Sequence, residues 1–282
     1  MSRLLASVKA PPSGRARPIW FDAADYGRAR LLAGQEVPWD SPAELTAFFG
    51  KTQGMFRSDA VLMDVGGLFA QRAAGDAQLR AAMGARARPG YALRTLLGDE
   101  QARGAAAEAV RALAATSGAV PLVLVMPAPG RWLTVAAAQV QPDAGPADAD
   151  RAATAAMYVA DMLRTFASLG VDGLLLDEGP ASGPELIHPE MYRPVINVAD
   201  HYEWPVLIRT EAAPAWPHGG IDGVAAWLGS AAPSEPSGRW GVVAGTGFWT
   251  GADPPAAAEF VLAAVPAEAD PEAVMTRVRA VT

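Results

Sequence analysis

A chain of 282 residues, 51% of them hydrophobic, is long enough to bury the core of one large α/β domain, and length alone does not demand a second. The 23 basic against 30 acidic residues give a net charge of −7, and without a Lys/Arg cluster interleaved with aromatics nucleic-acid binding is disfavoured. Cysteine is absent, which excludes disulfides, thiolate nucleophiles and Cys-ligated zinc or iron–sulfur clusters.

Residues 1–17 are basic and carry Pro, Ser and Gly, so they read as a mobile arm or a strap, and residues 18–282 as a single barrel domain. Pro18–Phe21 is a strand candidate followed by a polar stretch to Arg28. Ser41-Pro42 opens a helix to about Gln53, with Ser as cap and Pro at the first helical position. Asp59–Asp64 is the next strand, ending at Gly66-Gly67. Residues 70–98 read as irregular, and 99–117 as an Ala-rich helix entering the strand 121–126. Gln141–Asp150 is a loop. From Asp150 an amphipathic helix runs to Leu169, with Met157, Leu163 and Phe166 near one face and Gly170 placed to stop it. Strands are expected at 172–177, 205–208, 223–227 and 240–244, with a helix from about Pro189 to His201 and terminal helices at about 254–264 and 270–280.

This gives seven strand candidates, apolar runs separated by helices or long connections, as a parallel sheet buried on both faces requires. The nearest closed architecture is an α/β barrel of the TIM (β/α)8 type, with one strand missing, hidden, or lying in the irregular 80–98 region. A doubly wound open sheet is the alternative, but no Gly-rich phosphate fingerprint follows any strand. No Gly-x-Ser-x-Gly elbow appears either. In a barrel the chemistry sits where the strands end, so strand-end polar residues are the functional candidates.

Asp64 ends a buried strand before Gly66-Gly67; it either aims a carboxylate into the mouth to move a proton or caps the following amides. Asp177 and Glu178 end the fourth strand, where alternation lets only one face the mouth, and two close carboxyls push one pKa upward. Asp22 and Asp25 could share a cationic group or remain solvated loop residues. Arg131 and Arg209 suit a carboxylate clamp or a salt bridge with Asp177, Glu178 or Glu211. His218 lies in a Gly-rich loop and could reach the mouth; no pair of histidines has metal-ligand spacing, so no metal is expected. Among the eight tryptophans, Trp20, Trp132, Trp227 and Trp249 fall at or after strand ends and could line a pocket or simply fill the core.

Several of these segments resemble a known family. Arg17-Pro-Ile-Trp-Phe-Asp-Ala-Ala-Asp-Tyr26 is similar to the N-terminal signature of uroporphyrinogen decarboxylases, and Asp59-Ala-Val-Leu-Met-Asp-Val65 to their second strand, which ends in the catalytic Asp. Ala128–Thr134, Leu174–Gly179 and His188–Tyr192 resemble later motifs of that family. Gly170–Glu178 fits the cobalamin-independent methionine synthases, which share the barrel, equally well. The resemblance implies a cofactor-independent lyase of decarboxylase type, with Asp64 catalytic and Tyr26 and Trp132 near the substrate, acting on a small aromatic or unsaturated carboxylic acid. The departures are that Phe21–Arg28 is acidic where the family is basic, that the zinc-binding Cys is missing, and that Thr246 falls at the place of a family His. A catalytically degenerate accessory barrel or a zinc-independent methyltransferase are the alternatives. No cofactor is expected, and the partners are a small-molecule substrate and, as the alternative to a monomer, a second copy in a homodimer, with no membrane. Met1–Ala10 lacks a signal-length apolar stretch, so a cytoplasmic location is expected.

Overall fold

The computed structural model describes residues 2–141, 143, 145, 147–179, 189–211, 221–230 and 238–281. In chain order these form α1 (Arg3–Lys9), β1 (Ile19–Asp22), α2 (Ala24–Leu31), α3 (Pro42–Phe56), β2 (Val61–Asp64), α4 (Val65–Gly75), α5 (Ala77–Gly84), α6 (Pro89–Leu97) and α7 (Glu100–Thr116). There follow β3 (Leu122–Pro127), α8 (Pro129–Ala138), α9 (Ala149–Leu163), β4 (Gly173–Asp177), α10 (Arg193–His201), β5 (Val206–Arg209), β6 (Val224–Gly229), β7 (Arg239–Ala244), β8 (Phe260–Ala264) and α11 (Pro271–Ala280). All eight strands are parallel and pair in the order β1-β8-β7-β6-β5-β4-β3-β2. The fold is a TIM-type barrel with one seam, between β1 and β2, that no strand ladder seals.

The eighth strand is not in the 80–98 region. It is Phe260-Val-Leu-Ala-Ala264, within the segment whose alanines read as a helix. Ladders to β1 on one side and β7 on the other override that local preference. The 70–98 stretch is helical instead. Asp76 caps α5 through the amides of Gln78 and Leu79, Pro89 opens α6, and Asp99 caps α7 through Ala102. Arg72 ties these turns together by pairing with Asp76 at 2.7 Å and Asp99 at 3.3 Å. Helix α9 ends at Leu163, earlier than expected, and Met157 is 62% exposed while Leu163 and Phe166 are fully buried.

Two apolar clusters follow from strand alternation. Trp20, Val123, Leu175, Leu207, Leu228 and Phe260 fill the barrel interior, with Trp20 stacked on Phe260 at 4.5 Å. The alternate residues face outward against the helices in the larger cluster. The basic N-terminal segment is no loose arm: α1 sends Leu4 and Val8 into the interior cluster. Arg3 reaches the Val120 carbonyl and pairs with Asp172, just before β3 and β4, so α1 closes the N-terminal end of the barrel.

At the seam, side chains do the work of a ladder. The Ser58 hydroxyl accepts from the Phe21 amide at 2.9 Å and donates to the Ala60 carbonyl at 2.8 Å, so it stands between the two strands as an inserted rung. Asp59, fully buried, accepts from the Ile19 amide at 2.9 Å and from the Ser13 amide at 2.8 Å. Arg15 lies 3.4 Å from Asp59 and donates to the carbonyls of Phe56, Arg57 and Val281, joining the N-terminal segment, the seam and the C-terminus. Burial disfavours the charge on Arg15 and lowers its pKa, while Asp59 pulls the other way.

Two substitutions test this clamp. Arg15→Met should destabilise the protein by about 3–5 kcal/mol in urea unfolding, because it strands a buried carboxylate. Ser58→Ala should cost about 1–3 kcal/mol, because it orphans a buried amide and carbonyl. Losses below about 0.5 kcal/mol in both would mean the seam is held by something else.

Candidate active site at the barrel mouth

The residues that fill the interior set the parity of every strand. Trp20 faces inward, so Asp22 does too; Leu175 places Asp177 inward, and Leu207 places Arg209 inward. On β2, Ala60 and Leu62 belong to the interior cluster, and Asp64 continues that face. Four polar side chains therefore form the topmost inward layer at the C-terminal end. Asp177 and Arg209 are cross-strand partners in the β4–β5 ladder.

Asp177 organises this layer. One carboxylate oxygen meets the Arg131 guanidinium at 2.5 Å; the other lies 3.6 Å from Arg209 Nε and accepts from the Gly179 amide at 3.0 Å. Arg131 comes from the first turn of α8 and lies flat over Gly179, where a Cβ would sit 2.5 Å from the guanidinium carbon. Gly179, at φ +68°, is thus needed for both its backbone conformation and its lack of a side chain. Arg209 approaches Asp177 through Nε, at 3.6 Å.

Asp64 takes the capping role at the end of its strand. It caps α4, accepting from the Gly67 amide at 2.8 Å, and a Cβ on Gly67 would lie 2.4 Å from its carboxylate. The carboxylate is open to water yet ringed by protein atoms, and this desolvation pushes its pKa up to about 6. The Gly67 hydrogen bond opposes the shift, and the charges of Asp22, Asp177 and Asp25 add to it. Asp22 is also raised, mainly by burial; the Ala24 amide and Arg209 pull it down, while Asp25 and Asp177 push it up. Glu178, on the opposite parity from Asp177, is pushed up to about 7 by burial and by Asp177, against the pull of Arg131.

Other expected site residues lie elsewhere. Trp20 is fully buried in the barrel interior, below the mouth. Tyr26 is 1% exposed and packs edge-on against Phe56 between helices, and Trp132 is 2% exposed against Phe69 in the outer cluster. Both are core aromatics, as is Trp227. Asp25 points to solvent from α2, 3.8 Å from Arg28, so it does not pair with Asp22. Trp249, in a short 3-10 segment after β7, donates its indole N–H to the Ala264 carbonyl at the end of β8, on the rim of the mouth. His188 and His218 lie outside the described residues. No group of three His, Asp or Glu side chains that could hold a metal ion occurs among the described residues. No helix there is long and apolar enough to cross a membrane. The contributions of Gly67 and Gly179 escaped sequence reasoning. Their signal is a glycine placed shortly after a strand-end acid.

No protein-family model matches the chain, and no curated protein matches it. Among solved structures, it is similar to the crystal structure of 2,3-dimethylmalate lyase, described as a PEP mutase/isocitrate lyase superfamily member. The TM-score is 0.41 and the identity 14%, over 99% of this chain and 85% of that one. The resemblance to uroporphyrinogen decarboxylases and cobalamin-independent methionine synthases is therefore corrected: no family model supports it, and the structural neighbour belongs to a different barrel superfamily. The short motifs that carried it are what any barrel shows where apolar strands end in Asp and Gly.

Asp64 has a testable pH signature. Its folded pKa of about 6 lies above the ordinary carboxyl value, so the native state holds the proton more tightly and stability falls as pH rises from about 4 to 6. Asp64→Asn keeps the cap acceptor and removes that charge; it should melt higher than wild type at pH 8 and equally at pH 4. Asp64→Ala should lose about 1 kcal/mol at pH 4 with the cap. Melting curves for Asp64→Asn that track wild type at both pH values would show that the carboxyl is not perturbed.

Proposed function

We propose that the protein is a carbon–carbon lyase acting on a small hydroxy-carboxylic acid bound at the C-terminal mouth of the barrel. The observation that carries this reading is the inward layer itself: Arg209 shares it with Asp64, whose pKa of about 6 suits proton transfer near neutrality. A guanidinium edge matches both oxygens of a substrate carboxylate. Its orientation is fixed by Asp177, which in turn is braced by Arg131. The decarboxylase chemistry and the aromatic acid implied by the family resemblance lose their basis with it.

The reaction balances as a retro-aldol cleavage. Ionised Asp64 takes the proton of the substrate hydroxyl as its oxygen becomes a carbonyl. The carbon–carbon bond breaks, and its electron pair moves onto the carbon next to the carboxylate, forming an enolate held by Arg209. Water then delivers a proton to that carbon, and the hydroxide it leaves takes the proton from Asp64. Fixed charges aimed at the developing enolate supply the main stabilisation. Two arginines make the mouth hospitable to an anion, and burial, which raises the pKa of Asp22, lessens the negative charge beside it.

Incubation with a panel of 2- and 3-hydroxy acids, with trapping of the released carbonyl as a hydrazone, tests the reading. Turnover should rise with pH around 6 as Asp64 ionises to act as the base. Asp64→Asn should lower turnover by at least ~100-fold, and Arg209→Gln should both raise KM and lower kcat. No carbonyl product from any acid, together with no measurable carboxylate binding, would rule the lyase out.

A further inference from the structure

The open seam leaves a cleft that none of the mouth chemistry uses. It lies between α3 and the β1–β2 gap and encloses about 450 Å³ when its open side is included. Phe21, Phe48, Phe49 and Phe56 make its walls, and Asp22 belongs to its lining. The lining residues come from both faces of the barrel wall. Ala60 and Leu62 belong to the interior cluster, whereas Phe21 and Val61 belong to the outer one. Residues of both parities thus border the cleft at the gap in the wall. The cause is visible in the seam: the Ser58 hydroxyl bridges the strands at their N-terminal end, and no backbone ladder draws β1 onto β2 above it.

We propose that this cleft binds an uncharged hydrocarbon arm of the substrate, entering through the seam beside Asp22 while the carboxylate end lies at the mouth. The proposal rests on the reading of the mouth as a carboxylate site. Its own support is the chemistry of the seam: four phenylalanines line it, and the lining side chains of Thr52, Gln53 and Ser58 already bond backbone groups of the protein, so an apolar chain is the occupant they favour. Asp22 is the junction, since it lines the cleft and also senses Arg209 and Asp177 across the mouth. Its enclosed part is small, about 40 Å³, and suits a short arm rather than a ring system.

Titration calorimetry with acetate, butyrate, hexanoate and octanoate, and with 1-hexanol as a probe lacking a carboxylate, tests this. Affinity should rise about threefold to fourfold for each methylene added. Thr52→Trp, on the α3 wall, should abolish the gain with length and the binding of 1-hexanol while leaving acetate affinity unchanged; Thr52 is partly exposed and its hydroxyl bonds only the Phe49 carbonyl of its own helix. Ala24→Leu, on the opposite wall, should reduce the gain as well and serves if the first variant fails to melt cooperatively. Equal affinity for all chain lengths, or a length gain that survives both fillings, overturns the cleft assignment. Failure of every carboxylate to bind, with 1-hexanol still bound and lost in Thr52→Trp, supports the cleft and overturns the mouth reading instead. No binding by any probe overturns both.

Discussion

The barrel depends on how its one unladdered seam is clamped. Seven strand interfaces close with backbone ladders, and the eighth with one backbone bond, from the Asp59 amide to the Ile19 carbonyl, and the side chains of Ser58, Asp59 and Arg15. A buried ion pair is a weak source of net stability when intact, yet costly to break, so its value lies in fixing one arrangement. Here it fixes where the N-terminal segment enters, where β1 stands beside β2 and where the C-terminus returns. The substitution of side chains for a ladder is local to the N-terminal end of the seam. Above it the strands part, and the same constraint that completes the barrel opens the cleft beneath α3.

The mouth inherits its chemistry from strand parity. Once bulky apolar side chains occupy the interior, the next inward position on β1, β2, β4 and β5 holds Asp22, Asp64, Asp177 and Arg209. Desolvation by the surrounding wall raises the pKa values of Asp22 and Asp64, and the charges of the neighbouring carboxyl groups add to it. Asp177 has two guanidiniums beside it and so anchors the layer. The result is a division of labour among similar side chains: one carboxylate positions arginines, and others are poised to exchange protons near neutral pH.

Much of this was legible in the sequence. Asp64, Asp177 and Arg209 stood out because each ends an apolar run, and strand ends converge in a parallel barrel. Seven strands could be read for the same reason. The strand Phe260–Ala264 was hidden because its composition is that of the neighbouring Ala-rich helices, and only its ladders to β1 and β7 make it a strand. The aromatic residues misled: Tyr26 and Trp132 follow strands, but each sits on a helix whose apolar side turns to the core. Nor could local sequence reveal the seam clamp, since Arg15 and Asp59 meet only through the closed barrel. The family resemblance failed for a related reason, because short motifs at strand ends report the architecture more than the descent.

The central claim is that the mouth binds a carboxylate through Arg209, beside a carboxyl group, Asp64, whose protonation responds to the bound charge. An anion placed there should raise the pKa of Asp64 further, so binding should draw protons from solution. Calorimetry of acetate binding at pH 7 in buffers of different ionisation enthalpy measures this directly. The account predicts net proton uptake that is reduced in Asp64→Asn. Binding with no proton uptake, or with proton release, would contradict it.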